Sequence, residues 1–277
     1  MVLASPLGTC LITDTMSQPP LEILFLGTGT SHGVPVIGCD CDVCRSPDPR
    51  NQRTRSSILI RAKGLNLLVD TATELRVQAV REGLDRVDAV LFTHDHADHL
   101  HGIDDLRAFC QKHRMVIPLH GNEQTLATIR SRWSYMFQDL EFSQRHLNVA
   151  RLRLCPITRP FDIQGVEIIP VPVFHGATEI LGYRIGQFAY LTDCSDISEA
   201  SIELLRGLDT LVIDGLRPRP HHTHFSLGQA CLVVARLRPR QAFLTHLTHN
   251  VDHATTDATL PTGVHLAYDG LKLVCPR

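Results

Sequence analysis

An α/β sandwich, two mixed sheets held between outer helices, is the fold class this sequence predicts. Three observations predict it. Short apolar runs recur along the chain, rich in Val, Ile, Leu and Phe and bounded by Gly, Pro, Asp or His: "LEILFLG", "SSILIRA", "LNLLVD", "AVLFTH", "VIPLHG", "VEIIPVPVFH", "LGYRIG", "FAYLTD", "TLVIDG", "QAFLTH", "HLAYDG" and "LKLVC". Helical patterns lie between some of them. The second half then repeats the rhythm of the first, an arrangement that two sheets covered by helices satisfy.

The first strand is expected at Leu21. Before it, "MVLASPLGTCLITDTMSQPP" reads as a flexible extension over residues 1–20 that closes on Pro19-Pro20. It lacks the basic start and long apolar centre of a signal peptide, and Met16 is an alternative start. In "TELRVQAVREG" the spacing puts Leu75, Ala79 and Val80 on one helix face, with Gly83 as the stop. Further helices are expected near Asp104, Glu123, Ser198 and Ser226. Ser226 is the N-cap of an apolar-periodic run reaching Leu237. No low-complexity linker divides the halves, so residues 21–277 read as a single domain.

Composition narrows the function. The chain has 277 residues, 43% hydrophobic and 20% charged, enough for a substantial core without staples. A formal net charge of -2 gives no global basic field, which argues against a long nucleic-acid partner but leaves room for a small anionic substrate. No apolar run approaches the roughly 18 residues of a membrane span. Nine cysteines is an odd number, and with no export signal a reducing cytoplasm is the expected location. Three of them sit together in "GCDCDVC", Cys39, Cys41 and Cys44, as part of a disulfide framework, a redox site or a metal site. The sixteen histidines are unusual, and they cluster.

The strongest chemical signal is "AVLFTHDHADHLHG". An apolar strand ends and His94, His96, Asp98 and His99 follow at once. Imidazole nitrogen is a preferred zinc ligand and also suits manganese, iron and nickel. Two histidines at i and i+2 can face one metal while Asp98 and His99 turn to a neighbour, so the loop points to two adjacent metals. Later strand ends offer the missing ligands: His175 closes "PVPVFH", Asp193 closes "AYLTD" and His246 closes "AFLTH". Asp70, ending "NLLVD", is expected to accept a proton from a ligand histidine and so fix its tautomer.

The order His94-x-His96-x-Asp98-His99, then His175, Asp193 and His246, resembles the dinuclear site of the metallo-β-lactamase superfamily. Within it, "LGTGTSHGVPVIGCDCDVC", "LFTHDHADHLHGIDDLR", "THFSLGQA", "LTHLTHNVD" and "YDG" resemble the PhnP-like cyclic phosphodiesterases of phosphonate breakdown, over essentially residues 21–275. The resemblance implies the αββα sandwich of the metallo-β-lactamase type. It also implies one metal on His94, His96 and His175, a second on Asp98, His99 and His246, and Asp193 bridging them, with manganese favoured and zinc as the competitor. It answers the cysteine question as well. Cys39, Cys41, Cys44 and His249, three residues beyond His246, make a Cys3His set for a structural zinc. Asp98 and His224 are the expected catalytic residues, with His224 matching a substrate-contacting histidine of the family.

The function this implies is a phosphodiesterase acting on small or cyclic diesters, of the cyclic ribose phosphate or 2′,3′-cyclic nucleotide kind. Its nucleophile would be a hydroxide bridging the two metals. The alternatives are a tRNA 3′-processing endonuclease, a thioester or lactam hydrolase on the same fold, or a pyrroloquinoline-quinone biosynthesis protein. Arg217 and Arg219 are candidate phosphate contacts. His221 and His222 are expected to face solvent, and His32 replaces another residue of the family pattern and has no assigned role. A homodimer is left open.

Overall fold

The computed structural model describes residues 19–137 and 149–276. All but the last two residues of the expected extension lie outside that range. The chain opens with β1 (Leu21–Gly27), β2 (Ser57–Ala62), β3 (Leu65–Val69), α1 (Leu75–Arg81), β4 (Ala89–Leu91), α2 (Ala97–Leu100) and α3 (Leu106–His113). It continues with β5 (Ile117–Gly121), α4 (Glu123–Arg132), β6 (Leu152–Pro156), β7 (Phe161–Ile163), β8 (Val166–His175), β9 (Thr178–Ile185) and β10 (Phe188–Leu191). The last stretch holds α5 (Glu199–Leu204), β11 (Thr210–Asp214), α6 (Leu227–Leu237), β12 (Gln241–Thr245), α7 (His253–Asp257), β13 (Val264–Leu266) and β14 (Lys272–Cys275).

Two seven-stranded sheets result, in the orders β14-β1-β2-β3-β4-β5-β6 and β13-β12-β11-β10-β9-β8-β7. Each is mixed: β3 to β6 run parallel, as do β10 to β13, and the remaining pairs are antiparallel. Alternation explains the layering. Leu21, Ile23 and Phe25 of β1 point between the sheets to meet Tyr183, Phe188 and Tyr190, while Leu24 and Leu26 point outward under the helices with Leu75, Leu106 and Phe109. The second sheet buries its outer face, including Leu211, Ile213 and Leu244, under α5 and α6 with Ile202, Ala230 and Val234. Strands covered on both faces have to be apolar at nearly every position, hence the unbroken runs in the sequence. This is the αββα sandwich the sequence predicts.

Helix starts follow their caps. Ser226 accepts from the Gln229 backbone while the Gln229 side chain accepts from the Ser226 backbone N–H, a full capping box for α6. Ser198 caps α5 in the simpler way. One expectation fails: Val80 is 74% exposed, and Gln78 joins Leu75 and Ala79 on the buried face of α1. At about 100° per residue, i+3 and i+4 share a face with Leu75, and i+5 does not. The sequence does not predict strands β6 and β7 or helices α2 and α7, the first of these helices falling inside the expected metal loop. β6 carries Arg153 at a sheet edge, and β7 and α7 have only three and five residues. No helix among the described residues is long and apolar enough to cross a membrane.

One strand residue gives a pH dependence. His120 on β5 stacks on Phe161, ring centroids 4.9 Å apart, and burial, with Arg153 assisting, lowers its pKa from 6.5 to about 4. The folded state thus keeps His120 neutral where the unfolded chain takes up a proton. Its contribution is fully present above about pH 6.5 and is lost as pH falls toward 4. Urea unfolding at pH 7.5 and 5 should show a smaller drop for His120→Gln than for the wild type. An equal drop would assign the acid sensitivity to other groups.

Candidate active site

The C-terminal ends of strands from both sheets meet at one edge of the sandwich, and the chemistry collects there. From the first sheet come Asp70, just past β3, and the loop after β4 with His94, His96, Asp98 and His99. From the second come His175 at the end of β8, Asp193 past β10, Asp214 ending β11 and His246 past β12. Asp70, Asp193 and His246 turn off their strands in the left-handed conformation, with φ of 61°, 55° and 61°. Such a backbone costs a non-glycine residue about 1 kcal/mol or more, and here it aims three polar side chains into the seam between the sheets. The β4 loop is clamped across that seam: Tyr183 Oη donates to Phe92 O at 2.6 Å and Leu181 N to Thr93 O at 3.0 Å. Gly102 lets the loop pack onto Ala72, whose carbonyl would lie 2.1 Å from any Cβ placed there.

Asp70 is the organiser. Its carboxylate accepts from Thr93 N at 2.8 Å, Thr93 Oγ1 at 2.8 Å and His99 Nδ1 at 2.7 Å. Thr93 Oγ1, having given its proton to Asp70, accepts from His94 Nδ1 at 3.0 Å. Both imidazoles therefore carry their proton on Nδ1 and present a bare Nε2. His175 does likewise, donating from Nδ1 to Thr223 O at 2.8 Å. The Nε2 atoms of His94 and His99 are buried and have no hydrogen-bond partner. Buried lone pairs aimed into one site beside two carboxylates suit a cation.

The donors form two groups. The ligand atoms of His94, His96, His175 and Asp193 lie within 4.8 Å of one another, and so do those of Asp98, His99, Asp193 and His246. Asp193 belongs to both. Its Oδ1 is 3.2 Å from His99 Nε2 and 3.1 Å from His246 Nδ1, and its Oδ2 faces His94 Nε2 at 3.9 Å. Burial acts to raise the Asp193 pKa, yet His246 and His99 hold it well below the usual carboxylate range. All seven residues expected as ligands of the two-metal site are thus brought to this seam.

His224 stands against both groups, 4.7 Å from the His175 ring and 4.9 Å from that of His246. Its Nδ1 donates at 2.7 Å to Asp214 Oδ2, leaving Nε2 for the open side. The sequence reading missed Asp214, although "TLVIDG" ends a strand in an Asp just as "NLLVD" and "AYLTD" do. Burial pushes the Asp214 carboxyl up to about 7, with His224 opposing. Burial works against the charged form of His224, but Asp214 keeps its pKa above the ordinary value. The pair can therefore hold a proton near neutral pH.

The second cluster lies one turn of chain away. Cys39, Cys41 and Cys44 are free thiols, with Sγ atoms 3.2, 3.7 and 3.6 Å from His249 Nδ1. Tetrahedral zinc with ordinary Zn–S and Zn–N bonds would set those separations at about 3.6 Å. Arg53 braces the strip carrying both His246 and His249. It is 1% exposed and donates to Thr248 O at 2.9 Å, Val251 O at 2.8 Å and Asn51 Oδ1 at 3.0 Å. Leu247, between the two histidines, exchanges backbone hydrogen bonds with Thr28 and Thr30.

Comparison with known proteins agrees with this geometry. The family described as Beta-lactamase superfamily domain matches residues 65–247. A crystal structure described as a new diphosphatase from the PhnP family is 41% identical, with a TM-score of 0.85, and the match covers 92% of this chain and 97% of that one. An octanoyltransferase of Porphyromonas gingivalis is 38% identical over 259 residues, 92% of this chain but 51% of that protein, so the chain spans about half of that relative's length. Coenzyme PQQ synthesis protein B of Methylorubrum populi is 34% identical over 229 residues, 70% of this chain and 73% of that protein.

Proposed function

The chain belongs to the metallo-β-lactamase superfamily, and from that premise we propose that it is a metal-dependent hydrolase of small phosphodiesters, cyclic ribose phosphates and 2′,3′-cyclic nucleotides included. The observation that carries the reading is the pair of donor groups sharing Asp193, with His224 and Asp214 set beside them. The diphosphatase description of the 41%-identical PhnP-family protein supports attack at phosphorus rather than at a carbonyl. His94, His96, His175 and Asp193 would hold one divalent cation and Asp98, His99, His246 and Asp193 the other, manganese or zinc. Bound there, the cations supply Lewis acidity, drawing charge from phosphoryl oxygens and acidifying water.

The chain's own residues do the rest. Asp70 and Thr93 fix the tautomers of His94 and His99, so neither ring has to reorganise. His224, oriented by Asp214, presents Nε2 to the leaving group. As water oxygen bonds to phosphorus and gives up its proton to solvent, the ester P–O bond breaks and the departing alkoxide takes the Nε2 proton of the His224 imidazolium, the form that Asp214 favours. We read the cluster of Cys39, Cys41, Cys44 and His249 as a structural zinc site that braces the strand end carrying His246. Cytoplasmic location and a place in phosphonate breakdown belong to the same reading.

Two experiments test it. A 2′,3′-cyclic nucleotide or cyclic ribose phosphate should be opened, while pre-tRNA and β-lactams should be poor substrates. Cleavage of a pre-tRNA trailer without activity on cyclic diesters would reassign the site to an endonuclease. Cys41→Ser should release about one zinc per chain and lower Tm on the order of 10 °C, because a structural zinc contributes folding energy. Unchanged zinc content and Tm would sink the Cys3His assignment.

A further inference from the structure

We propose that His221 is a substrate-binding residue whose Nε2–H donates to an anionic phosphoryl oxygen at the mouth of the site. The inference rests on the phosphodiesterase reading above. His221 is half-buried, not free in solvent as the sequence suggested. The backbone N–H of Thr223 points at His221 Nδ1 at 3.4 Å, and Thr223 Oγ1 lies 3.1 Å from the same atom. A backbone N–H can only donate, so Nδ1 is the acceptor and the neutral ring carries its proton on Nε2.

Thr223 thereby sets two rings in opposite tautomers. Its carbonyl takes the Nδ1 proton of His175, which is left with a bare Nε2 fit for a cation. Its N–H and hydroxyl occupy Nδ1 of His221, which is left with an Nε2–H that has no lone pair to offer a metal. His221 accordingly falls outside each of the metal-capable groups. Its ring is 5.2 Å from that of His224, which in turn is 4.7 Å from His175, so it stands one ring outward from the proposed proton donor. A fixed N–H donor in that position matches a non-bridging oxygen of a diester whose leaving group faces His224.

The surrounding loop suits an anion. Arg217 and Arg219 lie on it, and Arg217 donates from Nε to Arg219 O and from Nη2 to Pro220 O, both at 3.3 Å. The guanidinium thus helps to hold the turn that presents His221 and keeps its positive charge on the loop.

The test compares wild type, His221→Ala and His221→Gln as metal-loaded proteins, the glutamine restoring an N–H donor. Steady-state hydrolysis of bis-p-nitrophenyl phosphate is measured with and without inorganic phosphate. His221→Ala should raise KM and the inhibition constant of phosphate by about tenfold, the scale of one hydrogen bond to a charged group. kcat should stay within about twofold, with metal content and Tm unchanged, and His221→Gln should recover most of the loss. A fall in kcat at constant KM, a loss of metal, or wild-type behaviour of the alanine variant would each overturn the proposal. If the wild type hydrolyses no diester, the phosphodiesterase reading fails by itself. The subsite is then still tested by whether inorganic phosphate raises Tm more in wild type than in His221→Ala, and equal shifts would refute it.

Discussion

Asp193→Ala is expected to lower kcat by about a thousandfold or more, while the zinc proposed for the cysteine cluster should stay bound. Asp193 is the residue common to both donor groups, and its Oδ1 alone faces His99 and His246 at 3.2 and 3.1 Å. Removing it would take a ligand from each proposed cation at once and leave His94, His96 and His175 with no carboxylate in their group. The cysteine cluster shares no residue with either group, so its metal should survive. Metal analysis and thermal melting separate the outcomes. Lost turnover with the structural zinc retained fits the shared-ligand geometry, and near wild-type hydrolysis would refute it.

The second large effect concerns His224 and Asp214. His224→Ala should lower kcat by roughly a hundredfold or more, the usual scale for one acid or oxyanion donor, with metal content nearly unchanged. Asp214→Asn should act in the same direction by a different route. A carboxamide can meet Nδ1 with its N–H, which turns the proton to Nε2 and weakens the orienting bond now 2.7 Å long. Both losses should be smaller on a p-nitrophenyl diester, whose leaving group needs little protonation, than on a cyclic ribose diester leaving as an alkoxide. Equal losses on both substrates would mean that His224 stabilises charge at phosphorus and donates no proton. Unchanged kcat in His224→Ala would make it an ordinary loop histidine, and the acid would then have to be sought elsewhere.

Much of this site was legible because its donors occupy one kind of position. His94, His175, Asp193 and His246 each follow an apolar run, and a polar residue ending a doubly buried strand is conspicuous. The seven expected ligands and the Cys3His set are indeed brought together in space. Asp214 obeys the same rule and was passed over because its partner, His224, lies on a loop with no pattern to link the two. Arg53 was beyond reach for another reason: its partners are the carbonyls of Thr248 and Val251, and a carbonyl carries no signature in sequence. His221 was misjudged because loop composition suggests exposure, whereas Thr223 folds back to hold it. The fold itself followed from unbroken apolar runs. Its misses were the edge strand β6 and the very short α2, β7 and α7, where periodicity has no length in which to show.

The central claim is that the Asp193-sharing groups hold two cations that together hydrolyse a phosphodiester. Its most direct measurement is a metal titration of protein stripped by a chelator under conditions that leave the proposed Cys3His site loaded, followed by hydrolysis of bis-p-nitrophenyl phosphate at each addition of manganese or zinc. Activity should rise from near zero and saturate at two added cations per chain, one for each donor group. Saturation at one cation, or no hydrolysis of the diester at any metal loading, would contradict the account.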